Sequence, residues 1–153
     1  MITIEIYSPK YKADCLLVFK SNMPKYFLLE EYNDFNEWLD EKTLDDRYFV
    51  CLQDNQVVAC GGYFYDDDRK KAGLSWGMVN AALHGTGIGT QLTAFRVQKM
   101  KETFPNSTYM IDTSQHTAPF YQKMGFVTQK VTPNGFGEGL DKHYMEIEAT
   151  PTL

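Results

Sequence analysis

The sequence predicts a mixed α/β domain, with a mostly antiparallel central sheet of about six to seven strands flanked by about four helices. Three observations carry this. Apolar runs of strand character follow one another between Tyr48 and Val79, separated by short polar turns, as in an antiparallel meander. A glycine-rich turn then leads straight into a helix, and a strand, a helix and further strands follow, which implies a parallel crossover. Hydrophobic residues make up 43% of 153, enough for one packed core and therefore one domain over residues 1–153.

The elements follow in order. Ile2, Ile4 and Ile6 alternate with Thr3 and Glu5, the pattern of a half-buried strand. Ser8 and Pro9 read as N-cap and first position of a helix whose inner face carries Tyr11, Cys15, Val18 and Phe19. Residues 23–31 read as a loop or broken helix. A second helix is expected from Asp34, where Asp34-Phe35-Asn36-Glu37 resembles a capping box and Phe35, Trp38 and Leu39 form an apolar face. Residues 48–52 and 56–65 are strands joined by the turn Asp54-Asn55. After the charged loop 66–71, residues 72–79 complete the meander. The helix after the glycine turn points Ile88, Leu92, Phe95 and Met100 inward and is broken at Pro105-Asn106-Ser107. Residues 109–112 form a strand. Residues 117–124 form a short helix ended by Gly125. Strands over 126–132 and 144–148 flank a loop at 133–139.

Composition excludes several classes. The net charge is −5 and the pI about 5.1, with no basic face for nucleic acid. Ordinary solubility accounts for this acidity, and steering of a cationic substrate is the alternative it leaves open. Cys15, Cys51 and Cys60 have neither metal-ligand spacing nor a C-x-x-C pair, so no metal is expected and the thiols read as buried in a reducing compartment. No run approaches the ~18 apolar residues of a membrane span. The first fifteen residues lack a signal-peptide pattern. A cytoplasmic protein without membrane or nucleic-acid partners is expected.

The chemistry concentrates in Leu83-His84-Gly85-Thr86-Gly87-Ile88-Gly89-Thr90. Alternate glycines let the backbone approach a ligand closely. A helix starting there presents unpaired N–H groups and the positive end of its dipole, the makings of a phosphate cradle. The dinucleotide fingerprint fails because Thr90 stands where its third glycine belongs. The P-loop fails because Thr90-Gln91-Leu92 replaces Gly-Lys-Ser/Thr. A turn that merely starts a helix is the plain alternative.

His84-Gly85-Thr86-Gly87-Ile88-Gly89 resembles the [RQ]-x-x-G-x-[GA] motif of GNAT (Gcn5-related) N-acetyltransferases, with His in place of Arg or Gln. Phe120-Tyr121-Gln122-Lys123-Met124-Gly125-Phe126 resembles that family's (F/L)-Y-x-x-x-G-F signature. The two marks lie on the expected elements, and the resemblance spans residues 2–149.

The resemblance implies a GNAT fold and transfer of acetyl from acetyl-CoA, through a tetrahedral intermediate, to a primary amine of a small molecule or peptide. The strand over 74–79, including Met78 and Val79, would bind the pantetheine arm, and the Val79 N–H would meet the thioester carbonyl. The amides of His84, Gly85, Thr86, Gly87, Ile88, Gly89 and Thr90 would hold the pyrophosphate. Ser114 stands where many members have an Asn that touches the cofactor. Tyr121 would protonate the departing thiolate. Glu30, Glu31, His116 and Ser75 acting through a water are all candidate bases. Residues 22–38, Tyr63, Tyr65 and Trp76 would wall the acceptor site, with the loop around Phe136 as its cover. A homodimer fits the family. A module that binds CoA without catalysis, as a sensor or scaffold, remains the alternative.

Overall fold

The computed structural model describes residues 1–41 and 46–147. The chain runs β1 (Thr3–Ile6), α1 (Lys12–Ser21), α2 (Leu29–Glu41), β2 (Tyr48–Gln53), β3 (Gln56–Asp66), β4 (Lys71–Val79), α3 (Ile88–Thr103), β5 (Thr108–Thr113), α4 (Ala118–Lys123), β6 (Val127–Gly137) and β7 (Leu140–Ile147). Short 3₁₀ turns, Pro9–Tyr11 and Ala81–Leu83, precede α1 and the glycine turn. The seven strands form one sheet in the order β1-β2-β3-β4-β5-β7-β6. Every pairing is antiparallel except β4 with β5. The expected α/β architecture therefore holds. Among the described residues no helix is long and apolar enough to cross a membrane.

Helices cover both faces of the sheet. Alternation along β2 sends Tyr48 and Val50 to one face and Phe49 and Cys51 to the other. On the first face Cys15, Val18 and Phe19 of α1 and Phe35 and Leu39 of α2 pack on Tyr48, Val50, Cys60 and Met78. On the second, Met100 of α3 and Tyr121 of α4 pack with Phe49, Tyr63, Leu74, Ile111 and Met145. Each fully buried Phe or Leu side chain contributes about 1.5–3 kcal/mol by leaving water. Asp54 and Asn55 both have positive φ, the left-handed pair that matches the twist of a two-residue hairpin.

Several expectations need correction. Helix α2 begins at Leu29, not at Asp34. The Leu28 N–H donates to the Glu31 carboxylate at 3.1 Å, so Glu31 caps a helix whose preceding residue has no capping side chain of its own. Ser8 holds its position without a side-chain capping bond, and one 3₁₀ turn separates it from α1. Ile6 is 51% exposed, because β1 is a short edge strand with little above it. Pro133 does not end β6. The strand bulges through residues 133–136 opposite β7 and continues to Gly137, leaving Glu138-Gly139 as the turn. Glu148, expected at the end of the last strand, lies outside the described residues.

The feature that positions the site is a short parallel ladder. β4 pairs with β5 only over residues 71–73 with 108–110. Beyond Gly73 the two strands part, and the edge over 74–79 has no strand beside it on that side. A bulge accompanies the parting: Trp76 and Gly77 stand opposite Gly61 of β3. Trp76 has a positive φ, a left-handed conformation that strains an aromatic residue. Such strain costs about 1–3 kcal/mol. The Tyr48 hydroxyl donates to the Trp76 carbonyl at 2.8 Å and holds it there.

Close approach of β3 to β2 requires glycine at residue 62. A Cβ there would stand 2.1 Å from the Arg47 carbonyl oxygen and 2.8 Å from the Tyr48 ring. Gly62→Ala is expected to destabilise the protein by about 3 kcal/mol through overpacking, measured by urea denaturation. Parental stability would refute this account of the β2–β3 contact.

Candidate active site

Where β4 and β5 part, a cleft of about 970 Å³ opens through the sheet. Its walls are residues 75–79 of β4, residues 111–114 at the end of β5, the glycine turn, Phe120 and Tyr121 of α4, and residues from the loop after α1. The sequence-predicted residues Met78, Val79, His84, Gly85, Gly87, Gly89, Thr90, Ser114 and Tyr121 all line it. Thr86 and Ile88 do not. The Thr86 hydroxyl donates to the Leu83 carbonyl at 2.6 Å, and Ile88 is buried in the core against Leu92.

The turn is built for an open backbone. Asn80 caps the short 3₁₀ turn, accepting from the Ala82 N–H at 3.0 Å. Gly85 and Gly87 both have positive φ. Glycine adopts that conformation without strain. Gly87 is the N-cap of the sixteen-residue α3, and no side chain caps it. A Cβ added at Gly85 or Gly87 would meet nothing within 4 Å. Unpaired N–H groups, a helix dipole and free space coincide, which fits a pyrophosphate.

The end of β4 is clamped. The Val79 carbonyl accepts from Asn22 Nδ2 at 2.9 Å and lies 3.0 Å from His84 Nε2. The neighbouring Asn80 N–H donates across to the Val58 carbonyl of β3 at 2.8 Å. Strand alternation therefore directs the Val79 N–H to the cleft side. Asn22 is 4% exposed and also donates to the Val18 carbonyl at 2.9 Å. The sequence put Asn22 only within the 22–38 acceptor wall and gave no sign of this clamp, since a lone Asn after a helix carries no distinctive pattern. His84 uses its ring on this clamp, and its ring also meets Tyr26 edge-on at 5.2 Å.

Tyr121 is 4% exposed and lies on α4. That helix ends in a Schellman arrangement: the Phe126 N–H donates to the Tyr121 carbonyl at 3.0 Å and the Gly125 N–H to that of Gln122 at 3.1 Å. Edge-on rings of Phe120 and Phe126 hold it at 5.0 and 5.7 Å. Its hydroxyl accepts from Arg96 Nη2 at 3.2 Å. Sequence reasoning missed Arg96. Its signal was legible, because Ile88, Leu92, Arg96 and Met100 form one stripe at four-residue spacing on the buried face of α3. Ser114 is buried with its hydroxyl 3.4 Å from Thr117 Oγ1, and its carbonyl receives the Thr117 and Ala118 N–H groups.

Among the candidate bases, Glu31 lines the cleft, and burial pushes its carboxyl above the ordinary carboxylate range. Glu30 is exposed and is not part of the lining. The Ser75 hydroxyl is buried and has no partner among the described residues. His116 is exposed at the mouth, edge-on to Tyr26 at 6.0 Å. Phe27, Trp38 and Trp76 gather on one wall, with Trp76 ring centroids 6.3 and 6.4 Å from the other two. Tyr65 is absent from that wall and packs on Phe104 at 4.8 Å. Tyr63 lines the cleft, its hydroxyl 3.1 Å from that of Thr103. The β6–β7 tip brings Phe136 to the cleft and is tied down: Gln115 donates to the Gly139 carbonyl at 3.0 Å and accepts from the Asp141 N–H at 2.9 Å. All three thiols are buried, and burial pushes Cys51 up to about 12.

The model of the Acetyltransferase (GNAT) family matches residues 13–126. An aminoglycoside 6′-N-acetyltransferase complexed with coenzyme A is similar in structure, with a TM-score of 0.79, 17% identity and coverage of 99% of both chains. An N-acetyltransferase from Staphylococcus aureus Mu50 has a TM-score of 0.78 at 16% identity, over 98% of this chain and 99% of that one. A ribosomal-protein-alanine N-acetyltransferase from Brucella melitensis has a TM-score of 0.75 at 18% identity, over 94% of this chain and 98% of that one. At these identities the likeness is one of fold. Among curated proteins no sequence matches the chain.

Glu31 yields a stability test. Its folded-state carboxyl binds a proton more tightly than in the unfolded chain, so its ionisation weakens the fold as pH rises through the window above the ordinary carboxylate value. Glu31→Gln keeps the acceptor for Leu28 and removes that charge. The variant is expected to melt above the parent at neutral pH, with the gap closing once the pH falls below the ordinary carboxylate range. Thermal melts at both pH values that show no difference would refute the burial cost.

Proposed function

The chain belongs to the GNAT acetyltransferase family, and from that membership we propose that it transfers an acetyl group from acetyl-CoA to a primary amine borne on an apolar body. The observation that carries the reading is the convergence, in one cleft, of an open glycine cradle, the clamped end of β4 and the phenol of Tyr121. Acetyl-CoA supplies the activated thioester. The amides of Gly85, Gly87, Gly89 and Thr90, which line the cleft, bind its pyrophosphate. The Val79 N–H, aimed by the Asn22 and His84 contacts to its carbonyl, stabilises the charge that grows on the thioester oxygen. Glu31 takes the proton from the ammonium, a task that suits a carboxyl raised by burial. Tyr121 delivers its hydroxyl proton to the departing sulfur.

Attack is direct. Burial keeps the Cys51 thiol protonated, and a hydrogen bond with Cys60 together with burial does the same for Cys15, so neither supports an acyl-cysteine intermediate. The acceptor class follows from the wall. Phe27, Trp38 and Trp76 offer aromatic faces to a cation and to the carbon skeleton behind it. Glu31 is the carboxylate beside them that draws in an ammonium group.

Calorimetric titration with acetyl-CoA, with ATP and NAD as controls, tests the cradle. Binding of acetyl-CoA alone supports it, and silence from a folded sample would end the reading. Thiol release is then followed with 2-phenylethylamine and with spermidine. The aromatic amine is expected to turn over faster, and the reverse order would overturn the acceptor assignment. Binding without turnover on any amine would favour a CoA-binding module. In the active protein Tyr121→Phe is expected to lower kcat about a hundredfold while leaving CoA affinity within about twofold. An unchanged kcat would remove the phenol from the chemistry.

A further inference from the structure

Arg96 is buried to 1% exposure beside the cleft. No carboxylate pairs with it among the described residues. Its Nη2 donates to the Tyr121 hydroxyl at 3.2 Å and to Thr93 Oγ1 at 3.3 Å, and Nη1 donates to the Gly62 carbonyl at 3.4 Å. Among the described residues its Nε has no partner. The sheet makes room for it: a Cβ on Gly77 would stand 2.5 Å from Nη2, and one on Gly61 would stand 3.1 Å from the guanidinium carbon. Two strands thus give up side chains to house a cation whose hydrogen-bond partners among the described residues are all neutral.

A lone buried cation is costly, since neutral oxygens replace its hydration poorly. Ordinary packing would place a Leu or Met on this stripe. The arrangement becomes favourable when negative charge arises next to the guanidinium during turnover. Only the Tyr121 hydroxyl among its partners can acquire such charge and also faces the cleft.

We propose that Arg96 is a positioning residue that orients the Tyr121 phenol and stabilises the charge left on it when its proton goes to the leaving thiolate. The inference rests on the acetyltransferase reading above. As the carbon–sulfur bond breaks, its electron pair goes to sulfur. The Tyr121 proton follows, giving the free thiol. The phenolate stays charge-assisted by Nη2 until solvent returns a proton. Thr93 accepts from the same nitrogen and fixes the guanidinium plane. Arg96 touches neither substrate in this scheme and acts only through Tyr121.

A double-mutant cycle tests this. Thiol release from acetyl-CoA is measured with hydroxylamine, whose neutral amine needs no carboxylate base, in the parent, Arg96→Met, Tyr121→Phe and the double variant. Calorimetry with CoA and thermal melts accompany each protein. Arg96→Met is expected to lower kcat about tenfold, the size of one charge-assisted hydrogen bond, with the KM for acetyl-CoA within about twofold. The double variant should be no slower than Tyr121→Phe alone, and Arg96→Lys should recover part of the rate by restoring a cation. If the Met variant does not fold, the Lys variant runs the same cycle. Multiplicative losses in the double variant, or a parental kcat in Arg96→Met, would overturn this inference alone. No thiol release by the parent would overturn it together with the acetyltransferase reading.

Discussion

The structure depends on the ladder between β4 and β5 stopping after three residue pairs. A sheet that continued to pair would bury its backbone groups and leave no slot. Here pairing stops at Gly73, and the bulge at Trp76 turns the rest of β4 away from the parallel partner. Tyr48 fixes the bulge from β2, and Arg96 fills the space beneath Gly61 and Gly77. The cleft is therefore held open from both faces of the sheet by well-packed groups. Its volume does not rely on a loop that must move aside.

The clamp on Val79 joins three parts of the site into one mechanical unit. Asn22 comes from the end of α1, and His84 begins the glycine turn. Both meet one carbonyl at the end of β4. A shift of α1 would therefore tilt the Val79 amide and disturb the cradle together. Such coupling suits a site whose donors must be aimed before charge develops. It also gives His84 a role in place of the Arg or Gln that the family motif favours: its ring works through the strand end.

Much of this was legible because it is local. The Asp54-Asn55 turn, the glycine cradle and the Gly125 stop each require particular backbone angles, which few residues accept. The antiparallel meander β2–β4 and the parallel crossover to β5 were legible too, whereas the place of β7 between β5 and β6 was not. What was not legible depended on distant neighbours. Helix α2 starts early because Glu31 caps backward onto Leu28, whereas Asp34-Phe35-Asn36-Glu37 offered a stronger local pattern at the wrong place. β6 passes Pro133 because it is a sheet edge, where a missing N–H costs no ladder bond. Tyr65 read as a site aromatic until its packing on Phe104 took it elsewhere. The stripe that buries Arg96 could be read from the helix spacing, but its partner Tyr121, 25 residues away, and the Val79 partner of Asn22, 57 residues away, lie beyond any short motif.

The two groups to which the proposed reaction assigns proton transfer belong to opposite layers. Glu31 opens α2 on one face, and Tyr121 with Arg96 lies among α3 and α4 on the other. Their environments are also opposite. Burial holds the Glu31 carboxyl toward its protonated form, while the Tyr121 hydroxyl accepts a hydrogen bond from the buried Arg96 guanidinium. The sheet, parted between β4 and β5, separates these environments, so each keeps its own bias. If the two shared one face, Arg96 would pull Glu31 back into the ordinary carboxylate range and spend its charge there. An amine entering from the α2 side and a thiol leaving beside Tyr121 would then meet a base and an acid that cannot neutralise each other. On that argument the break in the ladder does more than make room for a ligand: in the proposed reaction it would also keep acid and base apart.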